Sequence, residues 1–274
     1  MASTTLILFL FAVIIGITNG WWFNKPDPSQ PDWDKLSVTF LKFNELPKNI
    51  DDAKTRGWVQ TDECKDDAYF RGNRYILGND FAVMLLFDSK GTIAGIQNGV
   101  PKSSATHGSF KKPYWVEDGS MLVVTAYFVD PKMICAAGRD ESKYVGDSLH
   151  IQTGASPSSV MTIPLKEDDV AETNWVYGKC VPGMGKHYWY NISKEMNCDD
   201  TFPSFLLYNG GKLNAFGWAT IGDFPSDRYE HPPTSVLGHF FQSDSMPTCI
   251  TKMPKLSTIH IYFQRRPYLN LCVW

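Results

Sequence analysis

The sequence predicts an all-β fold of two related units, the product of an internal duplication, arranged as a disulfide-braced pseudo-twofold sandwich or barrel. The first observation is an echo. Trp58, Val59 and Cys64 return as Trp175, Val176 and Cys180. Leu85-Leu86-Phe87-Asp88, then Gly91 and Ile93, return as Leu206-Leu207-Tyr208-Asn209, Gly211 and Leu213. Tyr127-Phe128, Pro131 and Cys135 return as Tyr262-Phe263, Pro267 and Cys272. The order is the same in both halves, which chance explains poorly. The second observation is composition along the chain: short runs of β-branched and aromatic residues alternate with Gly, Asn, Asp and Pro. The third is that no stretch sustains a 3.6-residue apolar period. Two separate small β-domains are the alternative arrangement.

Residues 1–20 contain no Asp, Glu, Lys or Arg, and Leu6 to Ile17 is an apolar run followed by Thr18-Asn19-Gly20. That run suits a secretory h-region and is short for a membrane span, so 1–20 reads as a signal peptide cleaved near Gly20. A signal anchor is the competing reading. Residues 21–56 form an N-terminal leader. Its 24–32 part holds three prolines and reads as extended. Leu36 to Phe43 is expected to be a first strand, and Pro47 to Arg56, with acids early and bases late, the one helix.

The first β unit spans 57–140. Phe81 to Phe87 and Thr92 to Ile96 flank Asp88-Ser89-Lys90-Gly91 as a hairpin, and Met121 to Val129 is a later strand. A polar connecting segment, 141–173, carries the turn Gly154-Ala155-Ser156-Pro157 between Leu149-His150-Ile151 and Val160-Met161-Thr162-Ile163. The second unit spans 174–274. Phe205 to Tyr208 and Lys212 to Trp218 flank Asn209-Gly210-Gly211, whose residues tolerate positive φ. Ser257 to Phe263 is the counterpart of Met121 to Val129.

Six cysteines in a chain bound for an oxidising compartment imply three disulfides. If each unit closes on its own bridge, the pairs are Cys64–Cys135 and Cys180–Cys272. Cys198 and Cys249, which have no counterparts in the first unit, are left for each other.

A net charge of −3 without charged blocks argues against nucleic acid and against a membrane surface as partners once the signal is removed. Metal, phosphate, dinucleotide and serine-hydrolase motifs are all missing from the sequence. With all cysteines bridged, a cysteine nucleophile is not expected.

What one unit has and the other lacks is the better guide to function. The second unit carries His187, His231, His239 and His260; His260 falls opposite Thr125 of the first unit, and His187 near Ala68-Tyr69. Strand alternation puts His260 and Tyr262 on one face and Ile259, Ile261 and Phe263 on the other. In Gly183-Met184-Gly185-Lys186-His187-Tyr188-Trp189-Tyr190, closely spaced glycines suggest a flexible loop presenting aromatic rings to a flat ligand. Trp115, in Lys112-Pro113-Tyr114-Trp115, is a similar aromatic cluster in the first unit, read either as a stacking surface or, by a small preference, as core packing. Asn191-Ile192-Ser193 is a glycosylation sequon, which implies a surface position and keeps His187 near solvent. Arg228 to Pro233 reads as a loop and Arg265-Arg266 as a solvated turn.

The leading expectation is therefore a secreted, extracellular glycoprotein that binds a glycan or small organic ligand through aromatic-rich loops of the second unit. His187, Tyr188, Trp189, Tyr190 and Tyr262 are the expected contacts. The alternative is a secreted metal-dependent hydrolase or oxidoreductase, with zinc or copper on His187, His231 and His260 and with Glu230 as catalytic base or ligand; Asp199-Asp200 are other candidate acids. A structural matrix component ranks last, since low-complexity repeats are missing.

Overall fold

Fifteen strands are found among the described residues of a computed structural model, which describes residues 31–65, 67–140, 143–253 and 255–272. The expected signal peptide, its cleavage near Gly20 and the 24–30 part of the leader lie outside the described residues.

The strands are β1 (Ser37–Val38), β2 (Asn44–Glu45), β3 (Val59–Asp62), β4 (Asn73–Ile76), β5 (Met84–Phe87), β6 (Ile93–Pro101), β7 (Val116–Asp118) and β8 (Met121–Tyr127). They continue as β9 (Leu149–Gln152), β10 (Val160–Ile163), β11 (Trp175–Val181), β12 (Gly185–Tyr190), β13 (Ser204–Asn209), β14 (Lys212–Ile221) and β15 (Leu256–Tyr262). Two short helices, α1 (Ile50–Thr55) and α2 (Pro131–Ile134), interrupt them.

The fold is all-β, in two antiparallel sheets. One runs β10-β9-β8-β6-β5-β4-β3, with β7 beside β8; the other runs β11-β12-β13-β14-β15-β1-β2. Neither order closes on itself, so the barrel expectation is corrected to open sheets. The second sheet contains the meander β11-β12-β13-β14-β15, and the first the run β3-β4-β5-β6-β8, with β7 intervening in the chain between β6 and β8. The first sheet is then extended by the strands that follow it, and the second by the chain's first two.

Local chemistry explains the elements. Asn49 caps α1, its side chain accepting from the Asp52 amide, and Asp51 and Asp52 sit in the first turn where the helix dipole favours acids. The β13–β14 hairpin turns through Gly210 and Gly211, with φ of +59° and +74°. In the first sheet, Asp88 Oδ1 accepts from the amides of Lys90 and Thr92 at 3.0 Å each and closes the matching turn.

The strand expected over Leu36 to Phe43 is cut short. Thr39, Leu41 and Phe43 hold φ of +71°, +67° and +46°, which turns the chain sharply between β1 and β2. β1 still pairs with β15, Ser37 opposite Tyr262. The 37–45 part of the leader is thus woven into the second sheet, while Asn49 bridges Thr92 beside the first.

One apolar cluster gathers Phe87, Phe128 and Leu149 of the first sheet with Leu206, Phe216 and Phe263 of the second. Phe128 meets Phe263 edge-on at 5.3 Å, and Trp33 stacks on Phe263 at 4.1 Å. Trp115 is buried against Phe110. Residues 31–274 form one compact unit.

The three disulfides are Cys64–Cys135, Cys180–Cys272 and Cys198–Cys249. They suit an oxidising, extracellular setting. No helix among the described residues is long and apolar enough to cross a membrane.

Candidate functional site: a capped cavity on the second sheet

Strand alternation divides the second sheet cleanly. Tyr188, Leu206, Tyr208, Phe216, Ile259 and Ile261 belong to the cluster shared with the first sheet. His187, Trp189, Phe205, Ala219, Thr258 and His260 line a cavity of about 380 Å³ on the other face. The register sets them in a row. Trp189 lies opposite Phe205, Phe205 opposite Gly217, and Gly217 opposite His260. Gly217 is needed there, because a Cβ would run into the Phe205 ring and the Ile259 carbonyl. The Phe205 ring lies over the gap, 5.0 Å from His260 and 5.1 Å from Trp189.

The cover comes from the 222–255 connection between β14 and β15, which is longer than the 102–120 connection between β6 and β8. Its 3₁₀ turns Thr234–His239 and Thr248–Lys252 bring Leu237, Phe240, Phe241 and Ile250 over the sheet. This cover is pinned at the β11 bulge between Tyr177 and Cys180. The Lys179 amide and Trp189 Nε1 both donate to the Phe240 carbonyl, at 3.2 and 3.0 Å. Gln242 Nε2 donates to the Gly178 carbonyl at 2.5 Å, and Lys179 Nζ to that of Gly238 at 2.8 Å. Gly178 admits the contact, since a Cβ would strike the Phe240 carbonyl. Cys198–Cys249, the bridge without a counterpart in the first unit, ties the cover to the 191–203 connection.

The polar floor is small. Glu230 Oε2 lies 2.7 Å from His260 Nδ1 and accepts from Thr258 Oγ1 at 2.8 Å, while Oε1 accepts from the Phe40 amide at 2.5 Å. Burial pushes the Glu230 carboxyl up, but His260, the Phe40 amide and the Thr258 hydroxyl outweigh it and hold the group below its ordinary value. Glu230 is therefore a carboxylate at neutral pH, and His260 donates from Nδ1. The far nitrogen, His260 Nε2, is buried with no hydrogen-bond partner among the described residues. His187 donates from Nδ1 to the Lys179 carbonyl at 3.1 Å. Burial first, then the neighbouring His260, pushes its pKa down to about 3, so it is neutral at pH 7.

No protein-family model, curated protein or solved structure matches this chain. The reading of the site therefore rests on its own geometry.

That geometry sorts the residues singled out in the sequence. His187, Trp189, Tyr190, Glu230, His231 and His260 all border the cavity. Tyr188 does not: it packs on Tyr208 at 5.3 Å, and its hydroxyl donates to Glu167 Oε1. Tyr262 is buried beneath Phe43, its hydroxyl without a partner and held protonated by burial and by Glu230. The Gly183 to Tyr190 run is not a flexible loop. Gly183 forms the turn with φ of +80°, and Gly185 to Tyr190 is strand β12 between β11 and β13. Nor is His187 near solvent, at 1% exposed, because its side chain points inward while Asn191, past the strand's end, is exposed.

For the metal reading, no group of three or more His, Cys, Asp or Glu able to hold a metal ion is found among the described residues. His187 and His260 have ring centroids 6.2 Å apart. His231 is exposed at the cavity's edge, its Nδ1 3.5 Å from Asp223. Asp199 and Asp200 face His107 and Lys112 instead.

Phe40, Phe205, Phe240 and Phe241 line the cavity yet carried no functional signal in the sequence. Phe205 lies in β13, whose sequence echoes that of β5, and the others sit in irregular segments without periodicity. The one available signal was the extra length of the 222–255 connection together with its unmatched cysteine.

Proposed function

We propose that this chain is a secreted binding protein for a small, largely apolar organic ligand, held in the capped cavity of the second sheet. The observation that carries the reading is the cavity itself. Its 380 Å³ lies within the range of small-molecule sites, and aromatic and aliphatic side chains enclose a small polar floor. A glycan fits less well, because each sugar hydroxyl removed from water needs a partner and this lining offers few. The aromatic residues act from a strand and a fixed cover rather than from mobile loops.

The matching runs of strands and the corresponding disulfides support a duplicated unit, with the two sheets packed as a sandwich. In that reading the first unit is scaffold. Thr125 takes the place of His260 and is bonded by Gln97 Nε2 at 2.9 Å. Removal of residues 1–20 and glycosylation at exposed Asn191 complete the picture of an extracellular protein.

Fluorescence titration with N-phenyl-1-naphthylamine, a neutral apolar probe, tests the reading. Saturable binding near one equivalent is expected. Ala219→Trp, which fills the cavity from β14, should weaken it at least tenfold with the far-UV spectrum unchanged. Binding that ignores Ala219→Trp, or no binding, would overturn the proposal.

A further inference from the structure

We propose that the ligand carries a single neutral protic head group, a hydroxyl above all, which hydrogen-bonds His260 Nε2 while its apolar body fills the cavity. This rests on the binding role proposed above and specifies the chemistry of what is bound.

His260 Nε2 is an orphaned buried nitrogen at the cavity wall. His260 is 5% exposed, lines the cavity, and its Nε2 has no partner among the described residues. Buried polar atoms are rarely left so, and an unpaired one at a cavity wall marks where a ligand's polar atom belongs. The ring cannot turn away to find another partner, because Nδ1 is anchored on Glu230 at 2.7 Å and the ring packs on Phe205 at 5.0 Å.

Several other polar groups of the lining are already engaged. Thr258 Oγ1 is spent on Glu230, His187 Nδ1 on the Lys179 carbonyl and Thr201 Oγ1 on the Cys198 carbonyl. One orphaned buried nitrogen in a lining this apolar calls for one head group, which disfavours polyols and sugars.

Charge selects the head further. No lysine or arginine among the described residues lines the cavity, and the Glu230 carboxylate sits on the same imidazole. A carboxylate or phosphate would enter an apolar space beside a like charge with no cation to meet it. An ammonium would find both Glu230 oxygens already taken, by Phe40 on one side and by His260 and Thr258 on the other. A hydroxyl suits Nε2 whether that nitrogen presents a lone pair or a proton, since O–H both donates and accepts.

Calorimetric titration of the full, disulfide-bonded protein with four matched probes decides the matter: 4-butylphenol, 4-butyltoluene, 4-butylbenzoate and 4-butylbenzylamine. The phenol should bind about tenfold more tightly than the toluene, the value of one hydrogen bond to a buried group. The benzoate and the benzylamine should bind more weakly than the toluene. In His260→Phe the phenol should lose its advantage over the toluene, whatever the change in their common affinity. A benzoate or benzylamine that binds best, or a phenol no better than the toluene, overturns the head-group assignment and leaves the cavity as the site. Binding of none of the four overturns the cavity reading as well. Should His260→Phe fail to fold, the wild-type series alone still decides.

Discussion

Glu230 Oε2 and His260 Nδ1 stand 2.7 Å apart, and this bond joins an irregular loop to strand β15 at the floor of the cavity. The loop has no other regular pairing than the bridge of Glu230 to Thr258. Its carboxylate also holds the Phe40 amide, so one side chain fixes three segments distant in sequence: the β1–β2 turn, the 222–233 loop and the last strand.

Glu230→Gln should therefore lower the unfolding free energy by about 1–3 kcal/mol at pH 7, the cost of weakening charge-assisted bonds at a buried site. The pH dependence has a definite sign. The folded carboxyl titrates below its ordinary 4.5, so its contribution is full above that value and is lost as pH falls through the lower folded value. Urea denaturation of wild type and Glu230→Gln should show a gap above pH 5 that closes toward pH 3. A gap unchanged across that range would remove the carboxylate from the account.

His187 sets a second acid limit. Its folded pKa, about 3, lies below its ordinary 6.5, so the unfolded chain takes up the proton first and stability falls as pH drops from about 6.5 toward 3. Between pH 7.5 and 5.0 this one group should cost about 2 kcal/mol. His187→Gln should flatten that slope while lowering stability at neutral pH. If the variant keeps the wild-type slope, the acid sensitivity lies elsewhere.

The cover depends on the bridge unique to the second unit. Cys198–Cys249 closes a separation of 51 residues, and replacing both by Ser should cost about 2–4 kcal/mol. Hydrogen exchange should locate the loss: amides in 234–252 should lose protection well before those of β13 and β14. Equal loosening of the whole chain would mean that the bridge does not act on the cover.

Gly217 and Gly210 should respond differently to alanine. At Gly217 the new Cβ meets the Phe205 ring and a backbone carbonyl, so Phe205 is driven off His260; overpacking of this kind costs about 1–3 kcal/mol and should weaken probe binding. At Gly210 there is open space and only the φ of +59° to resist, a cost of about 1 kcal/mol with binding unchanged. Equal effects on binding would place the ligand away from Phe205.

What the sequence made legible follows from where its information is local. The disulfide pairs were readable because each echoed unit carries a cysteine near its start and near its end. The faces of β15 were readable because alternation in Ser257 to Phe263 has only one solution. Gly183 to Tyr190 misled because glycines at a hairpin's start resemble those of a mobile loop; only pairing to β13 distinguishes them. The cover was illegible for the same kind of reason. Phe240 and Phe241 lie in short 3₁₀ turns, and what places them is a bulge at Gly178 and a disulfide, neither of which leaves a periodic trace. His231 borders the same cavity as His187 and His260 but stands exposed at its edge, a difference that composition does not encode.

The account's central claim is that the outer face of β12–β15 and its cover enclose the ligand site. The most direct measurement is a crystal structure grown with 4-butylphenol. It should show the ring among Trp189, Phe205 and Phe240, with the hydroxyl at hydrogen-bonding distance from His260 Nε2. A ligand bound elsewhere on the protein, with this cavity filled by ordered water or by its own side chains, would contradict the account.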